Sequence, residues 1–498
     1  MFNMFKLMSR YVKTQTAGCL DAFICLTDLF SERQVSAMII HSLSESHFFA
    51  ATRTKQAHPC MKAVGCPVLL AALVLISAQA LAEPPLSNSP SVPAEVSVSD
   101  FGARGDGKTD DTTAFQSALS AAAKQGGRIV VVSAGEYRLN GTLTIPAGVT
   151  LEGAWRGPHT SQLSRGTTLL AYAGRDHENG NPLITLRAGA TLKGITIYYP
   201  EQAVIDIHPY PWAIQGRGQH YNVIDVTIAN AYNGIDCGTF PNEGHHLRNV
   251  YLCALRRGVL IDQCTDVGRV ENIHIHNVYW WRANPPGQPL REQENFLTGP
   301  EIAALERYTT EHLEGFIIGQ TDWEFMNQCF VIWSKVGFHF IQSPRNGGMP
   351  NVVLTQCGSD IGPLAVKIDS LQPHAGVAFE NCQFMSGLEV GTNCHGPVKF
   401  SNCGFWGQPA AGSQMVLDGD GTVTLTATHF DQWNPAKPCI EAQRGSLLIQ
   451  NCDFMDHGTQ VFLGKDLTSA AIIGNRLRHG AKIAKESQGD VQIIGNVQ

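Results

Sequence analysis

The sequence predicts an all-β chain wound into a parallel β-solenoid, and three observations carry that expectation. A short phrase returns along the C-terminal part: an alternating apolar strand, an Asn, and an apolar residue three positions on. It reads Val377-x-Phe379-x-Asn381-Cys382-x-Phe384, Val398-x-Phe400-x-Asn402-Cys403-x-Phe405, Val423-x-Leu425-x-Ala427-Thr428-x-Phe430 and Leu447-x-Ile449-x-Asn451-Cys452-x-Phe454, with a weaker copy ending at Asn475 and Leu477. Successive copies end 21, 25, 24 and 23 residues apart, whereas helical repeats need roughly 33–47 residues per unit. Within each interval the apolar residues alternate at period two rather than at three and four, and glycines punctuate the turns.

Each winding places its apolar residues inside the tube, stacked on the same position of the next. An Asn at a fixed turn position hydrogen-bonds along the stack and satisfies backbone groups that the turn leaves unpaired. Asn381, Asn402, Asn451 and Asn475 therefore read as structural. Earlier copies continue the pattern: Trp323-x-Phe325-x-Asn327, Ile273-x-Ile275-x-Asn277 and Val226-x-Ile228-x-Asn230. This phase puts Trp323 and Phe325 inward and turns Glu324, His274 and His276 outward.

Composition is that of a globular protein, with 43% hydrophobic residues, 16% charged residues and a formal net charge of −7. Nucleic acid is excluded as the main partner, because phosphate binding calls for a basic stripe that is absent. Residues 1–60 share nothing with the repeat and read as lying outside the mature protein, with translation starting at Met61. Residues 61–82 have the form of a secretory signal: Lys62, an apolar run from Val68 to Ile76, and Ala80-Leu81-Ala82 before Glu83. That run is shorter than the roughly 20 residues needed to span a bilayer, so the expectation is a secreted or periplasmic protein without stable membrane association. Residues 83–96 form a Pro- and Ser-rich linker, and 97–498 a single β-helix domain. Cys382, Cys403 and Cys452 share one repeat slot and read as packed thiols, while Cys394 and Cys439 are the pair to examine for bridging.

The domain opens with Asp100-Phe101-Gly102-Ala103-Arg104-Gly105-Asp106-Gly107-Lys108-Thr109-Asp110-Asp111-Thr112. A helix follows, with Phe115, Ala118, Leu119 and Ala122 on one face, and then the strand Arg128 to Ser133. Asp110 and Asp111 read as helix caps, not as a catalytic pair. This opening resembles the pectate lyase superfamily, the group related to family 28 glycoside hydrolases and rhamnogalacturonases. The resemblance implies a right-handed parallel β-helix whose N-terminal end is plugged by a capping helix. A plug is physically needed, since an open end exposes strand edges and core. The Asn-Thr-Asp, Gly-His-Gly and Arg-Ile-Lys motifs of polygalacturonases are absent, so no site residue carries over from them.

Residues 282–314 interrupt the repeat with an excursion that opens with Asn284-Pro285-Pro286-Gly287 and carries a helix from Glu301 to His312. Such an excursion shapes a binding face. Asp236 and Asp262 follow apolar inward residues on adjacent windings about 4.8 Å apart, and Asp266 and Asp322 lie in the turns that come after. These four acids are the candidate catalytic residues, because glycoside hydrolysis needs one carboxylic acid and a second carboxylate. Glu243, His245, Arg257, Arg269, Glu271, His274, Glu324 and Trp281 are the candidate substrate-binding residues. Trp212, Trp280 and Tyr210 offer further ring surfaces, with Trp280 assigned to the core. The arginines, Arg248 and Arg256 included, pair equally well with a uronate or with the neighbouring acids.

The leading expectation is a glycoside hydrolase cleaving a polysaccharide or oligosaccharide with paired carboxylates and no cofactor. The alternatives are a lyase acting on uronate-containing glycans, which would bring in Ca2+ held by Asp236, Asp262 and Asp266, and a non-catalytic carbohydrate-binding protein. Monomer and trimer both remain open.

Overall fold

The structure, a computed structural model, describes residues 95–498 except 156, 158–164, 289–294, 408–411 and 481. The expected non-mature segment 1–60, the signal 61–82 and nearly all of the linker 83–96 lie outside the described residues.

The described chain is a right-handed parallel β-helix. Successive windings pair in parallel and in register: Val352, Val377, Val398, Val423, Leu447 and Ala470 occupy one inward position on consecutive rungs. Large side chains stack along the same direction. The rings of Phe379 and Phe400 lie 4.7 Å apart at 4°, and those of Phe430 and Phe454 lie 4.7 Å apart at 10°. All are fully buried, and each such burial is worth about 1.5–3 kcal/mol. The ten described cysteines are unpaired and buried, Cys394 and Cys439 among them.

One turn sets the register. Asp225, Asn249, Asn272, Gln328, Gln356, Asn381, Asn402, Ala427 and Asn451 hold φ between 49° and 55°, in the left-handed region where Asn and Asp suffer least among non-glycine residues. Each directly follows a residue that pairs across the rungs, Asp225, Asn249 and Asn272 inside longer strands and the others at a strand's end. The slot expected of Asn381, Asn402 and Asn451 is therefore real, while in the last copy Gly474, not Asn475, takes it with φ 67°.

This slot also corrects the phase of one strand. Gln328, not Asn327, is the left-handed residue after Thr321–Asn327. A one-residue shift exchanges the two faces of a strand. Trp323 and Phe325, expected inside, are 54% and 42% exposed, and Glu324, expected outside, is 1% exposed.

The opening motif builds the expected turn and helix. Asp111 accepts the backbone N–H groups of Arg104 (2.8 Å) and Gly105 (3.1 Å), fastening the glycine turn. Asp110 accepts the Thr112 N–H at 3.1 Å. Gly105 has φ 62°, and a Cβ there would stand 2.8 Å from the Tyr137 ring, so a side chain at this position would have to displace that ring. The helix Thr112–Lys124 buries Ala114, Phe115, Ala118, Leu119 and Ala122 against the strands Glu95–Ser97, Ile129–Val132 and Leu143–Ile145. In the excursion, helix Gly299–His312 begins where Glu301 accepts both the backbone N–H and the hydroxyl of Thr298, at 2.8 and 2.7 Å.

Two substitutions test these features. Ala427→Asn, placing in the left-handed slot the residue type used on neighbouring rungs, is expected to raise stability by about 1 kcal/mol, read as a higher urea midpoint. Phe400→Ala, opening a cavity in the ring stack, is expected to cost about 3–5 kcal/mol in the same measurement.

Candidate functional site

The four expected catalytic acids divide. Asp236 and Asp262 share one wall but are not stacked: Gly238 lies opposite Asp262, and Asp236 lies opposite Leu260. Both were expected to face outward, yet they are 0% and 1% exposed. Asp236 accepts the N–H groups of Gly238 and Thr239, both at 2.8 Å, and the Gln215 amide at 2.7 Å. Asp262 accepts the N–H groups of Gln263 and Gln320, both at 2.8 Å, and the Ser343 hydroxyl at 2.9 Å. These carboxylates hold turns together; their lone pairs are spent on backbone donors, which leaves neither an exposed acid pair nor two free Ca2+ ligands. Asp266 and Asp322 are exposed.

The expected binding residues also part company. His245 and Glu324 meet inside the tube, with His245 Nε2 3.2 Å from Glu324 Oε1 and neither exposed. Burial alone would hold the His245 pKa down, but the Glu324 carboxylate and a hydrogen bond with Cys264 lift it well above the usual imidazole range. They are therefore not available to a substrate outside. Arg269 is exposed on the outer face, and Glu271 beside it lies 3.2 Å from His246 Nε2. Glu243 is half-buried and 3.8 Å from His220. Arg257 is committed elsewhere: it donates to Asn233 at 2.8 Å and Glu178 at 2.8 Å, and its guanidinium lies 4.4 Å over the Trp212 ring. Trp212, Trp280 and Tyr210 are buried, so only the assignment of Trp280 to the core stands. Trp281 packs edge-on against His276 at 5.4 Å.

His274, expected outward, is largely enclosed. It contacts the Tyr279 hydroxyl through Nδ1 at 2.7 Å and the Phe330 ring at 5.7 Å. Burial pushes His274 down to about 4; burial, with the nearby charges of His274 and Arg282, pushes His276 down to about 3.

What lies open instead is a groove of about 730 Å³ on the outer face, lined by Asp322, Trp323, Asn351, Val353, Gln372, His374, Ala378 and Lys399. Its frame is fixed by backbone contacts: Asn351 donates to the Asp322 carbonyl at 2.7 Å, and Gln372 donates to the Thr321 carbonyl at 2.8 Å. Phe325, Val353, Ala378 and Lys399 form one outward file, so three rungs, roughly 14 Å, separate the aromatic end from the cation. Trp323 and Phe325 lie side by side, ring centroids 6.3 Å apart at 33°. Arg269 continues the file beyond Phe325. The floor is Val353 and Ala378, small enough to leave a trough. Aromatic faces with flanking cations are suited to an anionic sugar polymer, since the rings take the apolar faces of sugars and the cations take carboxylates. Sequence reasoning missed Trp323, Phe325, His374 and Lys399 because the phase of the strand hid the first two and the repeat made the others look like ordinary rung positions.

A second polar cluster also escaped the sequence. His339 bridges Glu314 (3.0 Å), on the strand paired with one side of its own, and Asp369 (2.8 Å), just past the strand paired with the other. Burial opposes its protonation, but hydrogen bonds to the two carboxylates raise its pKa, and the bond to His339 lowers that of Glu314.

A parallel β-helix bearing an open aromatic groove is the class of protein these features define. Residues 95–190 match the family model described as rhamnogalacturonase A/epimerase, pectate lyase-like, bearing out the resemblance carried by the opening motif. Among curated proteins, alginate lyase 7 of Azotobacter vinelandii is 46% identical over 79 residues, 14% of this chain and 9% of that protein. Mannuronan C5-epimerase AlgE4 of the same organism is 40% identical over 80 residues, 15% of this chain and 14% of that protein. The chain thus spans only a small part of these relatives' length. Of solved structures, the A-module of Azotobacter vinelandii mannuronan C-5 epimerase AlgE6 is similar at 14% identity and TM-score 0.47, covering 81% of this chain and 98% of that one. An exopolygalacturonase from Thermotoga maritima is similar at 13% identity and TM-score 0.33, covering 80% and 91%.

The enclosed imidazoles give a pH signature. A group whose folded pKa is depressed keeps its full stability above the ordinary value of 6.5, and that stability is lost as pH falls, because the unfolded chain takes up protons first. The urea midpoint is expected to drop as pH falls from 6.5 to about 3, and His276→Gln is expected to make that drop shallower.

Proposed function

We propose that the protein modifies a uronate-containing polysaccharide laid along the groove, and that it removes the proton beside the uronate carboxylate in the manner of a lyase or epimerase. The observation that carries this reading is the exposed Trp323 and Phe325 pair followed three rungs on by Lys399. The local matches to an alginate lyase and to mannuronan C5-epimerases support the same substrate chemistry. Hydrolysis by paired acids is the weaker reading, because its leading pair, Asp236 and Asp262, is buried and hydrogen-bonded.

In this reading the aromatic rings hold the polymer and Lys399 neutralises a uronate carboxylate. That carboxylate gains negative charge as the adjacent proton leaves, so a fixed cation stabilises the transition state. His374, just before the strand that carries Ala378 beside Lys399, is the titratable group at the groove able to take or return the proton, whereas Asp322 lies at the aromatic end, three rungs away. The protein acts outside the cytoplasm, as the signal at 61–82 predicts.

Mature protein incubated with alginate and pectate is expected to give an unsaturated product absorbing in the near ultraviolet, or a polymer whose uronate configuration has changed by NMR. New reducing ends without either change would contradict the proton-abstraction reading, and no change in any panel polymer would contradict catalysis. Trp323→Ala is expected to weaken polymer binding by about 3- to 10-fold, the equivalent of one ring contact, without lowering the urea midpoint. Lys399→Ala is expected to flatten the salt dependence of binding.

A further inference from the structure

We propose that His245, Cys264 and Glu324 form a buried site for one divalent transition-metal cation of the zinc class. Nothing in this inference depends on the reading of the groove.

The interior file tells against an ordinary core. Ala190, Tyr221, His245, Gly268, Glu324, Val352, Val377 and Val398 are successive inward positions of the stacked rungs. Every other rung in this file is apolar, aromatic or glycine, yet two adjacent side chains here are ionisable. A buried ion pair is no more stabilising than the apolar side chains that fill the next rungs, so these residues need another explanation.

Hydrogen bonding fixes the imidazole. Asn242 Nδ2 donates to the carbonyls of Cys237 at 2.8 Å and Asp262 at 2.9 Å, which turns Asn242 Oδ1 toward His245 Nδ1 at 2.8 Å. Nδ1 therefore carries the hydrogen, and the acceptor behind it orients the ring, the arrangement typical of metal-binding histidines. In the neutral ring Nε2 is a lone pair, yet it faces Glu324 Oε1 at 3.2 Å. Two acceptors at that distance need a cation between or beside them.

A proton would satisfy only that contact. It would leave Glu324 Oε2 as it stands, buried without a hydrogen-bond partner, although Cys264, beside His245, offers a third ligand atom. The ligand atoms of His245, Cys264 and Glu324 all lie within 4.8 Å of one another, and all three residues are buried. A tetrahedral zinc site with bonds of about 2.0–2.3 Å needs its ligands roughly 3.3–3.8 Å apart, a small contraction from this arrangement. The nitrogen and thiolate select a zinc-like ion over calcium, which takes oxygen ligands. Charge also closes: the thiol and the imidazole–carboxylate pair each release a proton to solvent, and thiolate, carboxylate and a doubly charged cation sum to zero inside an apolar tube.

Gly268 completes the site. A Cβ there would stand 2.1 Å from Glu324 Oε2 and 2.6 Å from His245 Nε2, so the rung between the two ligands has to lack a side chain. The ligands also flank the excursion: His245 and Cys264 precede it, and Glu324 follows it. Glu324 sits between Trp323 and Phe325, so a cation holding its carboxylate inward fixes the two rings outward.

The test uses the full-length protein, purified without chelator and analysed by elemental mass spectrometry, then reloaded with Co2+. One equivalent of zinc is expected, together with a thiolate-to-cobalt charge-transfer band that disappears in Cys264→Ser and persists in Cys382→Ser. Chelator is expected to lower the melting temperature of the wild type but not of Glu324→Gln. Folded protein that retains no zinc and whose melting is indifferent to added zinc would overturn the proposal. A cobalt band that survives Cys264→Ser would overturn it equally.

Discussion

The structure depends on one backbone constraint, the left-handed residue that recurs at the same bend on successive rungs. Because that residue turns the chain at a fixed point, the strands before and after it stack in register and every side chain is assigned inward or outward for the length of the tube. Parallel pairing then multiplies the choice: a Phe on one rung stacks on a Phe of the next, and an outward residue becomes one member of a file. Stability and surface chemistry thus follow from a single torsional preference, for which Asn and Asp are suited by their short side chains.

The strand Thr321–Asn327 shows what this constraint does for function. With Gln328 in the turn slot, the aromatic residues face the groove and the carboxylate faces the interior. One strand consequently presents an apolar ring surface to solvent on one side and a ligand atom to a polar island on the other. The neighbouring rungs contribute small residues, which deepen the trough, and Lys399, which adds the cation. The turn acids Asp236 and Asp262 serve the scaffold by satisfying backbone donors where the winding bends.

The fold was legible because its signal is repeated: the intervals, the period-two alternation, the Asn slot and the opening glycine motif with its helix each point to a stacked β-helix, and each has its counterpart in the ladders, the left-handed turns and the helix Thr112–Lys124. The site was less legible because it turns on single-residue phase. Asn327 and Gln328 are adjacent and both suit a turn, so the apolar pair Trp323 and Phe325 read as core when they are surface. Asp236 and Asp262 read as outward from alternation alone, which takes no account of the backbone amides their carboxylates reach two and three residues on, or on the next winding. His245 and Glu324 were each singled out, but as outer-wall residues; their meeting across 79 positions depends on the winding that omits the excursion.

The face assignment of Trp323 is the point on which both the groove and the interior cluster stand, and hydroxyl-radical footprinting read by mass spectrometry measures it directly. The account predicts that Trp323 oxidises rapidly in the free protein, that the buried Trp433 does not, and that an oligouronate protects Trp323 selectively. Trp323 oxidising no faster than Trp433 would contradict the account, because the strand would then present the opposite face.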